Sequence, residues 1–163
     1  MRLWRGDPRR PSRRRSCRVR SDKAEISELC GADHLNDPVI LGRWLANKTP
    51  EIVASRISRP GNSVLVAVEN DTILAVGSVT DTGELTLNYV SPDARFRGAS
   101  RALLVALETR AQDRGNRRCT LFSTETARRL YRTAGYVEVG PAQHKLGTTS
   151  SYPMSKQLAA PVE

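Results

Sequence analysis

Three β-type runs joined by tight turns, followed at once by a helical period, constrain this 163-residue chain more than any other feature. Val64-Leu65-Val66-Ala67-Val68 is apolar and rich in β-branched residues, and Asn70-Asp71 supplies a turn. Residues 72–79 form a second run, Asp81-Thr82-Gly83 a second turn, and residues 84–90 a third run that Ser91-Pro92-Asp93 ends. Runs joined by so few residues pair with their sequence neighbours, which makes an antiparallel meander. From residue 98 to 114 the period becomes helical: Ser100, Leu103, Leu104, Leu107 and Ala111 share one face, with Arg101, Glu108, Arg110 and Asp113 elsewhere. Gly115-Asn116 ends that helix.

Residues 118–122 make the next strand, with Cys119-Thr120-Leu121-Phe122 as its apolar centre. A second helix carries Ala127, Leu130, Tyr131 and Ala134 on one face and stops at Gly135. Residues 136–139 and 151–156 are two more strands, separated by a Gly-Thr-Thr-Ser loop. Upstream of the meander, Val19-Arg20 predicts a short strand, and Ser21 or Asp22 caps a helix over residues 23–29. Asn36-Asp37-Pro38 is a turn, and residues 39–46 and 50–57 are two short helices with Pro50 near a first-turn position. The order is helices, a meander, then β-α-β-α-β-β. It specifies an α/β (α+β) domain on a largely antiparallel sheet of about seven strands, flanked by about four to five helices.

The formal net charge of +9 invites a nucleic-acid reading, so its location matters. Nine of the 26 basic side chains and one of the 17 acidic ones, Asp7, lie in residues 1–20, so the rest of the chain carries only +1. Basicity therefore belongs to the tail, and nucleic acid is a partner only through residues 1–20. With Pro8, Pro11 and dense arginine, residues 1–18 read as a disordered tail, and the domain spans residues 19–158. An apolar h-region of a secretory signal is missing from that tail. The longest apolar runs, residues 64–68 and 102–107, are too short to span a bilayer. Cys17, Cys30 and Cys119 are odd in number and widely spaced, which fits reduced thiols in a cytoplasmic protein. His34 and His144 stand alone without metal-ligand spacing, so no metal is expected.

The chemistry concentrates in the turn Arg95-Phe96-Arg97-Gly98-Ala99-Ser100, between a strand and an amphipathic helix. The first amides of a helix lack internal acceptors, and its dipole makes that end weakly positive. Gly98 allows close backbone approach, Ala99 and Ser100 are small, and Arg95, Arg97 and Arg101 add cations, which together suit a diphosphate. The Gly-Lys-Ser/Thr ending of a Walker loop is missing, and no Gly-x-Gly occurs in the chain. Taken alone, the turn is equally a basic surface loop before an ordinary helix.

Residues 84–108, ELTLNYVSPDARFRGASRALLVALE, together with TARRLYRTAGYVEVG at 126–140, resemble the GNAT (Gcn5-related N-acetyltransferase) superfamily. The first segment is similar to that family's motif A, Arg/Gln-x-x-Gly-x-Gly/Ala, with Arg95 and Gly98 matching and Ser100 replacing Gly/Ala. The second is similar to motif B, with Ala127, Tyr131, Gly135 and Tyr136 matching and Thr124 standing where many members have Asn. SYPMSKQL, residues 151–158, resembles the closing strand.

The resemblance implies a GNAT-type sheet whose fourth and fifth strands, residues 84–90 and 118–122, splay into a V-shaped cleft. It implies acetyl-CoA as co-substrate, with Arg95, Phe96, Arg97, Gly98, Ala99, Ser100 and Arg101 on the pyrophosphate. Asn88, Tyr89, Val90, Thr124 and Tyr131 would then lie along the pantetheine arm. It implies N-acetyltransfer to a primary amine in a ternary complex, with Tyr131 as acid to the leaving thiolate and Glu84 as base. Glu125 is the reserve base, and Tyr131 and Trp44 also read as core residues. The acceptor pocket falls to residues 33–57 and 140–151, with a small-molecule amine favoured over a protein, and a homodimer is compatible. The alternatives are a module of this shape that holds acyl-CoA without efficient transfer, and a nucleic-acid-associated protein acting through its tail.

Overall fold

The computed structural model describes residues 2–5, 26–28, 30–46, 49–70, 72–144 and 150–159. One sheet runs through them in the order β1-β2-β3-β4-β5-β7-β6. Its strands are β1 (Arg2–Arg5), β2 (Asn62–Glu69), β3 (Thr72–Thr80), β4 (Glu84–Val90), β5 (Arg118–Ser123), β6 (Val137–Glu138) and β7 (Tyr152–Gln157). Every neighbouring pair is antiparallel except β4 and β5, which are parallel. The helices are α1 (Gly31–His34), α2 (Pro38–Leu45), α3 (Pro50–Ser58), α4 (Ala99–Gln112) and α5 (Glu125–Thr133), with a 3-10 turn at Pro92–Ala94. The α/β (α+β) architecture expected from the sequence is the one observed.

The reading of residues 1–18 as a disordered tail fails at its start. Arg2–Arg5 pairs antiparallel with β2, Arg2 opposite Val68 and Arg5 opposite Leu65. Ladder bonds use backbone groups, and an edge strand is the position where charged residues are tolerated, so composition alone misjudges this segment. The remainder of the tail, the Val19-Arg20 strand and residues 147–149 of the last loop lie outside the described residues; residues 26–28 of the first helix are helical.

Local signals set the other boundaries. The Asp37 carboxylate accepts from the amides of Val39 (2.7 Å) and Ile40 (3.3 Å) at the start of α2, with Pro38 in the first turn. Thr49 Oγ1 accepts from Ile52 N at 3.3 Å to open α3. Helix α4 lies on one face of the sheet and buries Leu103, Leu104 and Leu107 almost completely. Each contributes about 1.5–3 kcal/mol of burial free energy. Gly77 of β3 makes this contact possible: a Cβ there would meet Leu107 at 2.7 Å and Leu103 at 3.0 Å. Glu108, expected off the apolar face of α4, is buried instead, because Lys156 of β7 reaches its carboxylate at 2.7 Å.

Candidate functional site

The feature that builds the site is a failure of pairing. β4 and β5 pair only at Glu84 with Thr120 and Leu85 with Leu121; beyond those residues the two strands part. Side by side and parallel, they are joined at one end and open at the other. A β-bulge begins where they separate: Ser78 opposes Leu87 and Val79 opposes Leu85, leaving Thr86 as an extra residue in β4. A bulge bends and twists its strand, which carries the end of β4 away from its parallel neighbour. Ser78 Oγ and Thr86 Oγ1 share a hydrogen bond of 2.6 Å that satisfies both hydroxyls at the bend. Past the bulge, Asn88 opposes Gly77, so it lies on the α4 face, while Tyr89 opposes Val76 on the other. Both side-chain polar atoms of Asn88 are buried and without a hydrogen-bond partner. Such atoms are costly unless a ligand completes them.

Beyond the open end of β4 the chain makes the turn expected from its sequence. Phe96 and Gly98 take left-handed backbone angles, φ 61° and 77°. Gly98 is the N-cap of α4 and supplies no side-chain cap. The first amides of a 14-residue helix are thereby left without an internal acceptor. A Cβ at Gly98 would meet nothing within 4 Å, so glycine is required by its φ and by approach from outside rather than by packing. Arg95 stacks its guanidinium 4.7 Å from the centre of the Phe96 ring, which is 91% exposed. Arg97 is ion-paired with Glu69 at the end of β2. Arg95 and Arg101 are the cations of the turn with no ion pair among the described residues. The arrangement can bind a polyanion through backbone amides, with two arginines beside them.

A cavity of about 670 Å³ runs along β4 from the β3–β4 turn, past the paired residues Glu84 and Leu85, to Tyr89 where the two strands have parted. It collects Glu84, Asn88, Tyr89, Thr124 and Tyr131 from the residues expected at a site. Val90, which is buried in the core, and residues 95–101 are not part of its wall. Thr124 is the N-cap of α5, where Oγ1 accepts from Ala127 N at 3.3 Å; its hydroxyl proton is still available to donate. Glu84 is exposed at the cavity edge. Trp44 is both core and wall, 2% exposed and packed with Ile26, Cys30 and Tyr89. Glu125 is a weak candidate for a base. A hydrogen bond from Tyr152 and then one from Arg128 hold its carboxyl below the ordinary carboxylate range.

Helix α5 is fixed from outside itself. Asp33 of α1, fully buried, accepts from Glu125 N at 2.5 Å and Thr126 N at 3.2 Å. A carboxylate there satisfies two orphan amides and sits at the positive end of the helix dipole. That contact orients the helix whose buried Tyr131 enters the cavity. Tyr131 also packs edge-to-face on Tyr136, ring centres 5.6 Å apart. Behind it lies a buried cluster. Burial and the nearby Glu108 carboxylate push the Cys119 thiol up to about 11, and burial followed by Glu108 raises Tyr136 as well.

The family model described as "Acetyltransferase (GNAT) domain" matches residues 41–158. The chain belongs to the GNAT acetyltransferase family. Solved GNAT structures share its fold. A Gcn5-related N-acetyltransferase from Rhodopseudomonas palustris is 22% identical with a TM-score of 0.82, covering 96% of this chain and 94% of that one. The PaiA N-acetyltransferase of Thermoplasma acidophilum, crystallised with coenzyme A, is 15% identical with a TM-score of 0.78 over 97% and 100% of the two chains. The aminoglycoside 6'-N-acetyltransferase of Enterococcus faecium is 16% identical, with a TM-score of 0.73 and 100% coverage of both. No curated protein matches this sequence. Among the described residues no helix is long and apolar enough to cross a membrane.

Within this GNAT domain, the expected acceptor range 33–57 contains Asp33 and Arg56 without singling out either, and sequence reasoning missed Arg59, Asn62 and the Thr86 bulge. No local motif marks any of them. Asp33 is 92 residues from its partner Glu125, and the bulge exists only in the pairing of two strands.

Proposed function

We propose that this chain transfers the acetyl group of acetyl-CoA to a primary amine while both are bound. The observation that carries the reading is the parting of β4 from β5, which opens a path through the sheet toward the uncapped start of α4. The residues present fit such a co-substrate. Uncapped amides at Ala99, Ser100 and Arg101, beside Arg95 and Arg101, suit its pyrophosphate. The unpartnered Asn88 side chain and the edge of β4 at residues 88–90 suit its amide-bearing pantetheine arm, with Thr124 available to donate from the opposite wall.

When bound, acetyl-CoA supplies a thioester carbonyl open to attack by the amine. The chain's own groups manage the protons. A primary amine titrates near pH 10, so a base must take its proton at neutral pH. Glu84 is the carboxylate at the cavity edge with no side-chain partner among the described residues. It lies four positions along β4 from Asn88, about 13 Å along the strand, so it acts through water rather than by direct contact. Tyr131, buried in the cavity wall, holds a phenolic proton for the departing thiolate. The stretch of β4 beyond Leu85, which β5 does not pair, offers backbone amide groups to polarise the carbonyl.

Thiol release from acetyl-CoA across an amine library, with calorimetry of CoA binding, tests the reading. Turnover with at least one amine is expected, and a protein that binds no CoA would sink it. Glu84→Gln should flatten the acidic limb of the pH–rate profile; an unchanged profile removes Glu84 as base.

A further inference from the structure

We propose that the acceptor is a small primary amine that also carries an anionic group, held by Arg56 and Arg59; the inference rests on the acetyltransferase reading. Arg56, at the end of α3, and Arg59, just beyond it, both line the cavity. Neither forms an ion pair or side-chain hydrogen bond among the described residues, so two uncompensated positive charges belong to the cavity wall. Like charges repel, and an acceptor that is only cationic is disfavoured by them. The acids of the same wall do not cancel them. Asp81 is already ion-paired with Arg114, which leaves Glu84 as the unpaired carboxylate.

Asn62 adds a second observation. Its Nδ2 donates to the Arg56 carbonyl at 2.8 Å, which leaves Oδ1 buried, in the cavity wall and without a partner. Asn62 opposes Thr80 at the end of the β2–β3 pair, and Thr80 Oγ1 accepts from Glu84 N at 3.1 Å. An acceptor oxygen and a carboxylate therefore stand at one strand end, with two guanidinium forks on the adjoining helix end. Ammonium reached by Glu84 through water, and anion held by Arg56 and Arg59, engages all three charged groups with one zwitterionic molecule. A polycation such as an aminoglycoside engages only Glu84.

The test uses the full chain, acetyl-CoA and acceptors matched except for the anion: L-leucine against isoamylamine, and O-phosphoethanolamine against ethanolamine, with kanamycin as the polycation. The anionic member of at least one pair should have kcat/KM higher by about tenfold or more. In R56Q/R59Q that preference should collapse toward unity, the loss falling on KM rather than kcat. R56K/R59K should restore part of it, and CoA binding by each variant verifies the fold. Equal use of both members in both pairs, a preference that survives R56Q/R59Q, or kanamycin as the best acceptor overturns the inference. No thiol release from a protein that binds CoA defeats the acetyltransferase reading instead. Calorimetry of the same pairs with CoA-loaded protein then decides the anion preference, and equal or absent binding overturns it.

Discussion

The two parts of the candidate site are made in opposite ways. The turn at residues 95–101 is built from consecutive residues, and its working groups are backbone amides exposed by positive φ at Phe96 and Gly98. The cavity is built from side chains of α3, β2, β4 and α5, brought together only by the sheet. A backbone site tolerates changes to individual side chains so long as φ and ψ are kept. A side-chain site changes its chemistry with each substitution while the scaffold stays put. The same fold can therefore keep one co-substrate and vary the acceptor.

The largest effect should come from the cavity side chain nearest the chemistry. Tyr131→Phe keeps the ring and its packing on Tyr136 but removes the proton, so kcat should fall about 100-fold or more. CoA affinity measured by calorimetry should stay within about twofold, because the lost group acts on the leaving thiolate. Equal losses in kcat and in CoA affinity would place Tyr131 in binding rather than proton transfer.

Asp33→Ala sharpens the comparison from the other direction, since Asp33 belongs to the helical region yet holds the start of α5. Two partly buried hydrogen bonds, from Glu125 N and Thr126 N, would lose their acceptor. Stability should drop by about 2–3 kcal/mol in chemical denaturation. Turnover should fall with it as Tyr131 loses its orientation. A folded variant with unchanged stability would show that Thr124 alone suffices as the cap.

The turn offers the direct contrast between backbone and side chain. Gly98→Val forces a β-branched residue to φ 77°, and CoA affinity should fall about tenfold to a hundredfold. Arg95→Ala removes an exposed cation and should cost only about two- to fivefold, less still at high salt. Reversal of that order would make the turn a side-chain site and remove the distinction drawn here.

That distinction also explains what the sequence revealed. Strand runs, the face of α4 and the stops at Gly115 and Gly135 are local patterns, and the structure carries them at the expected places. The turn was legible for the same reason: Gly98 and its small neighbours lie side by side. Arg56, Arg59 and Asn62 carry no pattern, because their meaning depends on which strand ends meet. The Thr86 bulge is invisible without knowing that Val79 pairs with Leu85. Arg2–Arg5 misled in another way, since composition reports the side chains whereas the ladder to β2 is made by the backbone.

The smallest effect concerns the cluster behind Tyr131. Cys119 rises from an ordinary thiol value near 9.0 to about 11, through burial first and the Glu108 carboxylate second. Burial raises Tyr136 in the same direction. An acid whose folded value lies above its unfolded one keeps its proton longer when folded. Its contribution to stability is complete below pH 9.0 and is lost as pH climbs toward 11. The melting temperature should therefore be level from neutrality to pH 9 and decline above it, more steeply once tyrosine begins to ionise in the unfolded chain near pH 10. Cys119→Ser removes the thiol's share and should shallow the onset. The thiolate is the reactive form, so Cys119 should also react with a thiol reagent at pH 8 only after denaturation. Rapid labelling in the native state would show that the core behind Tyr131 opens readily, and the cavity wall would then owe its geometry to bound ligand rather than to packing.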